Sequence, residues 1–156
     1  MTGHCAPYLN NLPHGLVDGC NICSRISSRI ECSGCTTVHY CCSEHQALHR
    51  AAHQTICDRI QRLNDFIAEY KDALPCDTEG GNTPLPTFRT TGGNYTLYEA
   101  TEMFAHARRN LVQEFVKLNT KTAVGQVLDD TFTLLRLDPE DHLGMRCMAP
   151  WLFLRL

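Results

Sequence analysis

No hydrophobic run in this chain approaches the roughly 20 apolar residues that a membrane-spanning helix needs, so no membrane partner is expected. Basic charge is scarce as well. Fourteen Lys and Arg stand against 17 Asp and Glu, for a formal net charge of −3. Nucleic-acid affinity rests mainly on neutralising phosphates, so nucleic acid is a disfavoured partner. Arg25, Arg29, Arg50, Arg59 and Arg62 could make a local basic face, but a solvated surface is the plainer reading. Residues 1–19 lack a basic patch followed by an apolar core, so no secretory leader is expected there. They read instead as a flexible, Pro- and Asn-containing lead-in. A Gly-rich phosphate loop and a G-x-S-x-G elbow are also missing. The acidic pairs Asp129–Asp130 and Glu140–Asp141 suit solvated charge or helix capping better than catalysis. An enzyme is therefore not expected.

What the chain does have is cysteine, ten in 156 residues. Without an export signal the expected setting is intracellular, cytoplasmic or nuclear, where thiols serve as metal ligands more often than as disulfides. Seven of the ten lie between Cys20 and Cys57. Six of these, with two histidines, fall into four spaced pairs: Cys20-x2-Cys23, Cys32-x2-Cys35, Cys41-x3-His45 and His53-x3-Cys57. A C-x2-C pair lets one tight turn aim two sulfurs at one ion. Asn21-Ile22 and Ser33-Gly34 fill these turns, and Gly34 suits a position with φ > 0. The x3 pairs place two ligands one helical turn apart, on two short helical pieces. Eight thiolate and imidazole donors match two closed tetrahedral zinc ions, which build shape and leave no coordination position for chemistry. Six thiolates and two Zn²⁺ would make the protein about two charges more acidic than its formal count, which weakens the nucleic-acid case further.

Cys42 lies inside this window but off the pair register, and Cys5, Cys76 and Cys147 are scattered; none is given a role. His49 shares a four-residue helical spacing with His45, His53 and Cys57, which leaves it an alternative to His53 as a ligand. His53 is preferred because His53-x3-Cys57 repeats the pair geometry. His4, His14, His39, His106 and His142 have no spaced partner and are expected at the surface. The spacing alone permits either sequential or interleaved use of the four pairs.

The string from Cys20 to Cys57 resembles the MYND-type zinc finger, with Val38-His39-Tyr40-Cys41, Glu44-His45-Gln46 and His53-x3-Cys57 at matching positions. The resemblance implies a cross-brace. One ion would take Cys20, Cys23, Cys41 and His45, and the other Cys32, Cys35, His53 and Cys57. It departs from the family in two places. Histidine stands at position 45, where cysteine is usual, making each site Cys3His. The acidic residue and tryptophan usual near Leu48-His49 are absent, and that tryptophan helps related domains grip proline-containing peptides. A HIT-type zinc finger, with shorter final spacing, would use His49.

Beyond the finger, Ile56, Ile60, Leu63, Ile67, Tyr70 and Leu74 recur at helical steps, which predicts a helix over 58–74 that Pro75 stops. Residues 75–96 have linker composition. Residues 97–156 read as a helical region. One helix runs through Phe104, Leu111 and Phe115, and a second through Val124, Val127 and Leu134, with Asn119-Thr120 as the turn between them. A third is expected from near His142 to the end. The fold class is thus a small zinc-stabilised cross-brace module followed by an all-α helical hairpin region. Leu134-Leu-Arg-Leu-Asp-Pro139 resembles the end of a tetratricopeptide-like (TPR-like) repeat, though no second repeat fixes a period. The apolar ending Trp151-Leu-Phe-Leu-Arg-Leu156 would pack back on its own hairpin, dock on a partner, or mark the chain as a fragment of a longer protein.

Two function classes follow. The first is an interaction protein, an adaptor or scaffold whose partners are proteins or peptide motifs, with Zn²⁺ purely structural. The alternative is a regulatory fragment of a methyltransferase-like or ubiquitin-ligase-like protein. The chain has no room for a SET catalytic domain, and a RING finger would close on C-x2-C rather than on His53-x3-Cys57.

Overall fold

The computed structural model describes residues 15–26, 30–71 and 99–155. Two very short strands, β1 (Ile30–Glu31) and β2 (His39–Tyr40), pair antiparallel with Ile30 opposite Tyr40 and Glu31 opposite His39. Helix α1 (Ser43–Lys71) follows, then α2 (Glu99–Val116), α3 (Lys121–Leu137) and the short α4 (Met148–Phe153). The architecture is a cross-braced finger followed by a mostly helical region.

Helix α1 crosses the boundary that the sequence suggested between finger and helix. Its 29 residues contain neither Gly nor Pro, so nothing breaks it between the last ligand pair and the apolar stripe. At 1.5 Å per residue it spans about 43 Å. The two short helical pieces expected for the x3 pairs are therefore one continuous rod. Its second half buries Ile60 and Ile67 and half-buries Ile56, Leu63, Phe66 and Tyr70 against α2. The expected stop at Leu74-Pro75 and the linker over 75–96 lie outside the described residues.

Helices α2 and α3 form the expected hairpin. Phe104, Leu111, Val112, Phe115 and Val116 face Val124, Val127, Leu128, Thr131 and Leu134 in one apolar core. The turn is sharp because Asn119 adopts φ 51°. Thr120 then caps α3, its hydroxyl accepting the Ala123 N–H at 3.1 Å. One acidic pair departs from expectation. Asp130 is not solvated but 1% exposed, and Arg108, which lies over the Phe104 ring, donates to it at 2.5 Å. Burial raises its carboxyl above the usual range, with Arg108 pulling the other way.

The third helix is shorter than expected. Residues between Leu137 and Met148 turn instead, held by carboxylates. Asp138 accepts the Leu143 N–H, and Asp141 accepts those of Met145 and Arg146. These bonds satisfy the backbone that a helix would otherwise satisfy. Helix α4 then folds back on α3 and buries Met148 and Leu152. Within the apolar ending Leu152 packs back on the helices, whereas Phe153 and Leu154 stay exposed.

The finger sits directly on the hairpin turn. Residues 15–18, expected as part of a flexible lead-in, form a strap across that turn. Val17 donates to the Asn119 carbonyl and accepts the Lys121 N–H, at 3.1 and 3.0 Å. The Thr120 hydroxyl also donates to the Thr37 carbonyl at 3.0 Å.

Candidate metal centres

Two tight turns present the first four thiols, and both are built alike. In the first, Ser24 donates its N–H to the Cys20 carbonyl at 2.7 Å and takes φ 56°. In the second, Thr36 donates to the Cys32 carbonyl at 2.8 Å and takes φ 57°. The left-handed residue thus falls just after each second cysteine, not on Gly34 as the sequence suggested. Glycine at 34 answers a different need. A Cβ there would lie 2.5 Å from the Cys57 sulfur, so only a residue without one lets helix α1 bring its cysteine in. Gly19 is constrained similarly, since its Cβ would meet the Arg25 carbonyl oxygen at 2.8 Å.

The other four donors come from the residue just after β2 and from α1. Cys41 follows the buried Tyr40, and His45 lies in the first turn of α1. His53 and Cys57 occupy one face of α1, a turn apart. The ligand atoms gather into two groups, Cys20–Cys23–Cys41–His45 and Cys32–Cys35–His53–Cys57, each with its atoms within 4.8 Å of one another. The first and third pairs meet, as do the second and fourth, which is the interleaved arrangement.

The distances fit zinc. A tetrahedron with zinc–sulfur bonds of 2.3 Å has sulfur–sulfur edges of about 3.8 Å, and its sulfur–nitrogen edges are slightly shorter. Cys23 and Cys41 sulfurs are 3.6 Å apart, and those of Cys32 and Cys57 3.5 Å. His45 Nδ1 lies 3.4 Å from Cys20 Sγ and 3.2 Å from Cys41 Sγ, and His53 Nε2 lies 3.4 Å from Cys35 Sγ. All these cysteines are unbridged. Donor type and spacing thus suit two zinc ions, each held by three cysteines and one histidine.

The electrostatics say what such a cluster requires. Burial, and then the neighbouring sulfurs, push the Cys41 and Cys57 thiols up to about 12. Burial opposes ionising Cys20 too, but N–H groups of Ile22, Cys23 and Cys41 outweigh it and lower its thiol to about 6. Clustered thiols of this kind ionise together only when a cation compensates them.

The two groups differ in exposure. Every ligand of the second is buried, whereas in the first only Cys20 is. His49 joins neither. Its Nδ1 lies 2.9 Å from the Tyr40 hydroxyl, its Nε2 lies 3.0 Å from Asn21 Nδ2, and its ring stacks on that of His53. Burial, then the neighbouring His53, lowers its pKa. Its four-residue spacing from both ligand histidines was legible in the sequence; its partners were not. His39, expected at the surface, is 8% exposed, because β2 turns it inward beside Glu31. His106 and His142 are exposed, and His4 and His14 lie outside the described residues. Asn21 and Tyr40 carried no ligand chemistry that would have marked them as partners of a histidine.

Comparison with known families gives one match, to the MYND finger, over residues 20–57. The matched span begins on the first ligand cysteine and ends on the last. No curated protein and no solved structure matches the chain.

Proposed function

From residues 20–57 as a MYND finger, a structural zinc-binding module that generally mediates protein interactions, we propose that this protein is an adaptor whose finger holds a protein partner. Cys20, Cys23, Cys41 and His45 hold one Zn²⁺, and Cys32, Cys35, His53 and Cys57 the other. With four protein donors each, the ions shape a surface and perform no hydrolysis. The thiolate ligands suit an intracellular, reducing compartment.

One observation carries the reading. A groove of about 480 Å³ opens at the second metal group, lined by its ligands Cys32, His53 and Cys57 and by Tyr40, Arg50 and Asp58 among others. Its walls are the second cysteine turn and the ligand-bearing face of α1, so its shape depends on the ion that joins them. Polar and apolar surface share the lining, and Arg50 and Asp58 both stand in it. This suits a protein segment that offers hydrogen-bonding groups to both charges better than a bare proline motif.

Affinity capture with the zinc-loaded protein, repeated with Cys32→Ser, tests this. A partner is expected on the loaded protein and not on the variant. With that partner purified, Arg50→Glu should weaken binding about tenfold or more while two zinc ions remain bound. The reading fails if the same proteins bind both forms, or if Arg50→Glu leaves the affinity unchanged.

A further inference from the structure

The sequence places His49 midway between two ligand histidines, four residues after His45 and four before His53. One helical face therefore carries a residue of the first metal group, His49, and a residue of the second, in register. The structure gives His49 a contact toward each. Asn21, inside the turn between Cys20 and Cys23, donates its amide N–H to His49 Nε2 at 3.0 Å. A neutral ring that accepts at Nε2 carries its proton on Nδ1, which lies 2.9 Å from the Tyr40 oxygen. Tyr40 is 1% exposed and stands immediately before the ligand Cys41. On its other side, the His49 ring lies nearly parallel to His53, with centroids 5.4 Å apart and planes 14° apart.

His53 needs such a support. A metal-bound imidazole is ordinarily oriented by a hydrogen bond from its second nitrogen. Among the described residues the buried Nδ1 of His53 has no hydrogen-bond partner, so no such bond from them fixes this ring. The stacked face of His49 restricts its rotation instead.

We propose that His49 is a positioning residue that ties the two zinc sites together, clamping the first cysteine turn through Asn21 and the His53 ring through stacking. Losing either ion then loosens the other. The tie presupposes the zinc ligands assigned above but not the adaptor role.

Native mass spectrometry of the zinc-loaded chain under stepwise chelation tests it by counting chains with two, one and no ions. Two equal, independent sites leave about half the chains with one ion at the midpoint, and a tenfold coupling lowers that share to about a quarter. The intact protein is expected at or below a quarter. His49→Ala should still load two ions, with the one-ion share rising about twofold or more as the second site empties first. Should His49→Ala fail to load, Asn21→Ala decides, since it cuts the link to the first turn and leaves the stacked rings in place. The one-ion share should rise in that variant too. A one-ion share of half or more in the intact protein, or an unchanged share in whichever variant loads, overturns the tie. A chain that binds no zinc at all overturns the ligand assignment instead.

Discussion

The finger and the helical region are held together by different forces. Among the described residues from 20 to 57, the buried hydrophobics other than ligand cysteines are Val38 and Tyr40 alone. Helices α2 and α3 bury Phe104, Leu111, Val112, Phe115, Val127 and Leu134, among others, in a continuous apolar cluster. The finger's interior is thus mostly donor atoms, and the helices' interior is mostly hydrocarbon. A core so small cannot fold by burial alone, so its stability must come from metal. The helical core depends on area removed from water and should respond far less to zinc.

Chelation should separate the two most sharply. Structural zinc contributes on the order of 10–16 kcal/mol in small fingers. With the ions gone, the two cysteine turns lose the metal bonds that join them to α1. Hydrogen exchange after complete zinc removal should show lost protection over residues 20–57, including the first half of α1. The centres of α2 and α3 should keep theirs. Unchanged protection of Val38, Tyr40 and the His45–Cys57 stretch would mean that packing alone folds the finger.

The reciprocal change belongs in the helices. Leu134 is fully buried in α3. Leu134→Ala should cost about 2–5 kcal/mol in denaturant titration, through lost burial and the cavity left behind. The folded variant should still bind two zinc ions. A fall in zinc content that tracks the loss of stability would show the two regions to be one cooperative unit.

The same contrast explains what could be read from the sequence. Ligand spacing is local, so Cys20-x2-Cys23 and His53-x3-Cys57 announced both donors and turns. The resemblance supplied the interleaving that spacing alone left open. The apolar period of Phe104, Leu111 and Phe115 announced α2, because a 3.6-residue repeat survives without tertiary knowledge. Features set by distant neighbours were not legible. Gly34 in a C-x2-C turn suggests a left-handed residue, but what it makes room for is Cys57, brought close only by the fold. Asp130 looked solvated because Arg108 lies a helix away. The unbroken run of α1 was missed because the last ligand pair suggested a module boundary where backbone chemistry has none. The strap over residues 15–18 was missed because its bonds go to a turn about a hundred residues further along.

The smallest effect is expected where the two regions meet. Thr120 is 2% exposed, and its hydroxyl serves both sides. It caps α3 by accepting from Ala123 and reaches into the finger by donating to the Thr37 carbonyl. Thr120→Val keeps the shape and removes both bonds. The lost cap costs about 1 kcal/mol, and the buried carbonyl left without a donor costs about 1 kcal/mol more. Thr120→Ser keeps the hydroxyl and should recover most of that. The informative measurement is exchange at the Ala123 amide before and after chelation. In the intact protein, zinc removal frees the Thr37 carbonyl and should lower protection at Ala123, the one place where the helices register the metal. In Thr120→Val, protection at Ala123 should be low from the start and unmoved by chelation. If Ala123 in the valine variant still responds to zinc, the signal reaches α3 through the Val17 strap, and the seam has two strands where the hydroxyl accounts for one.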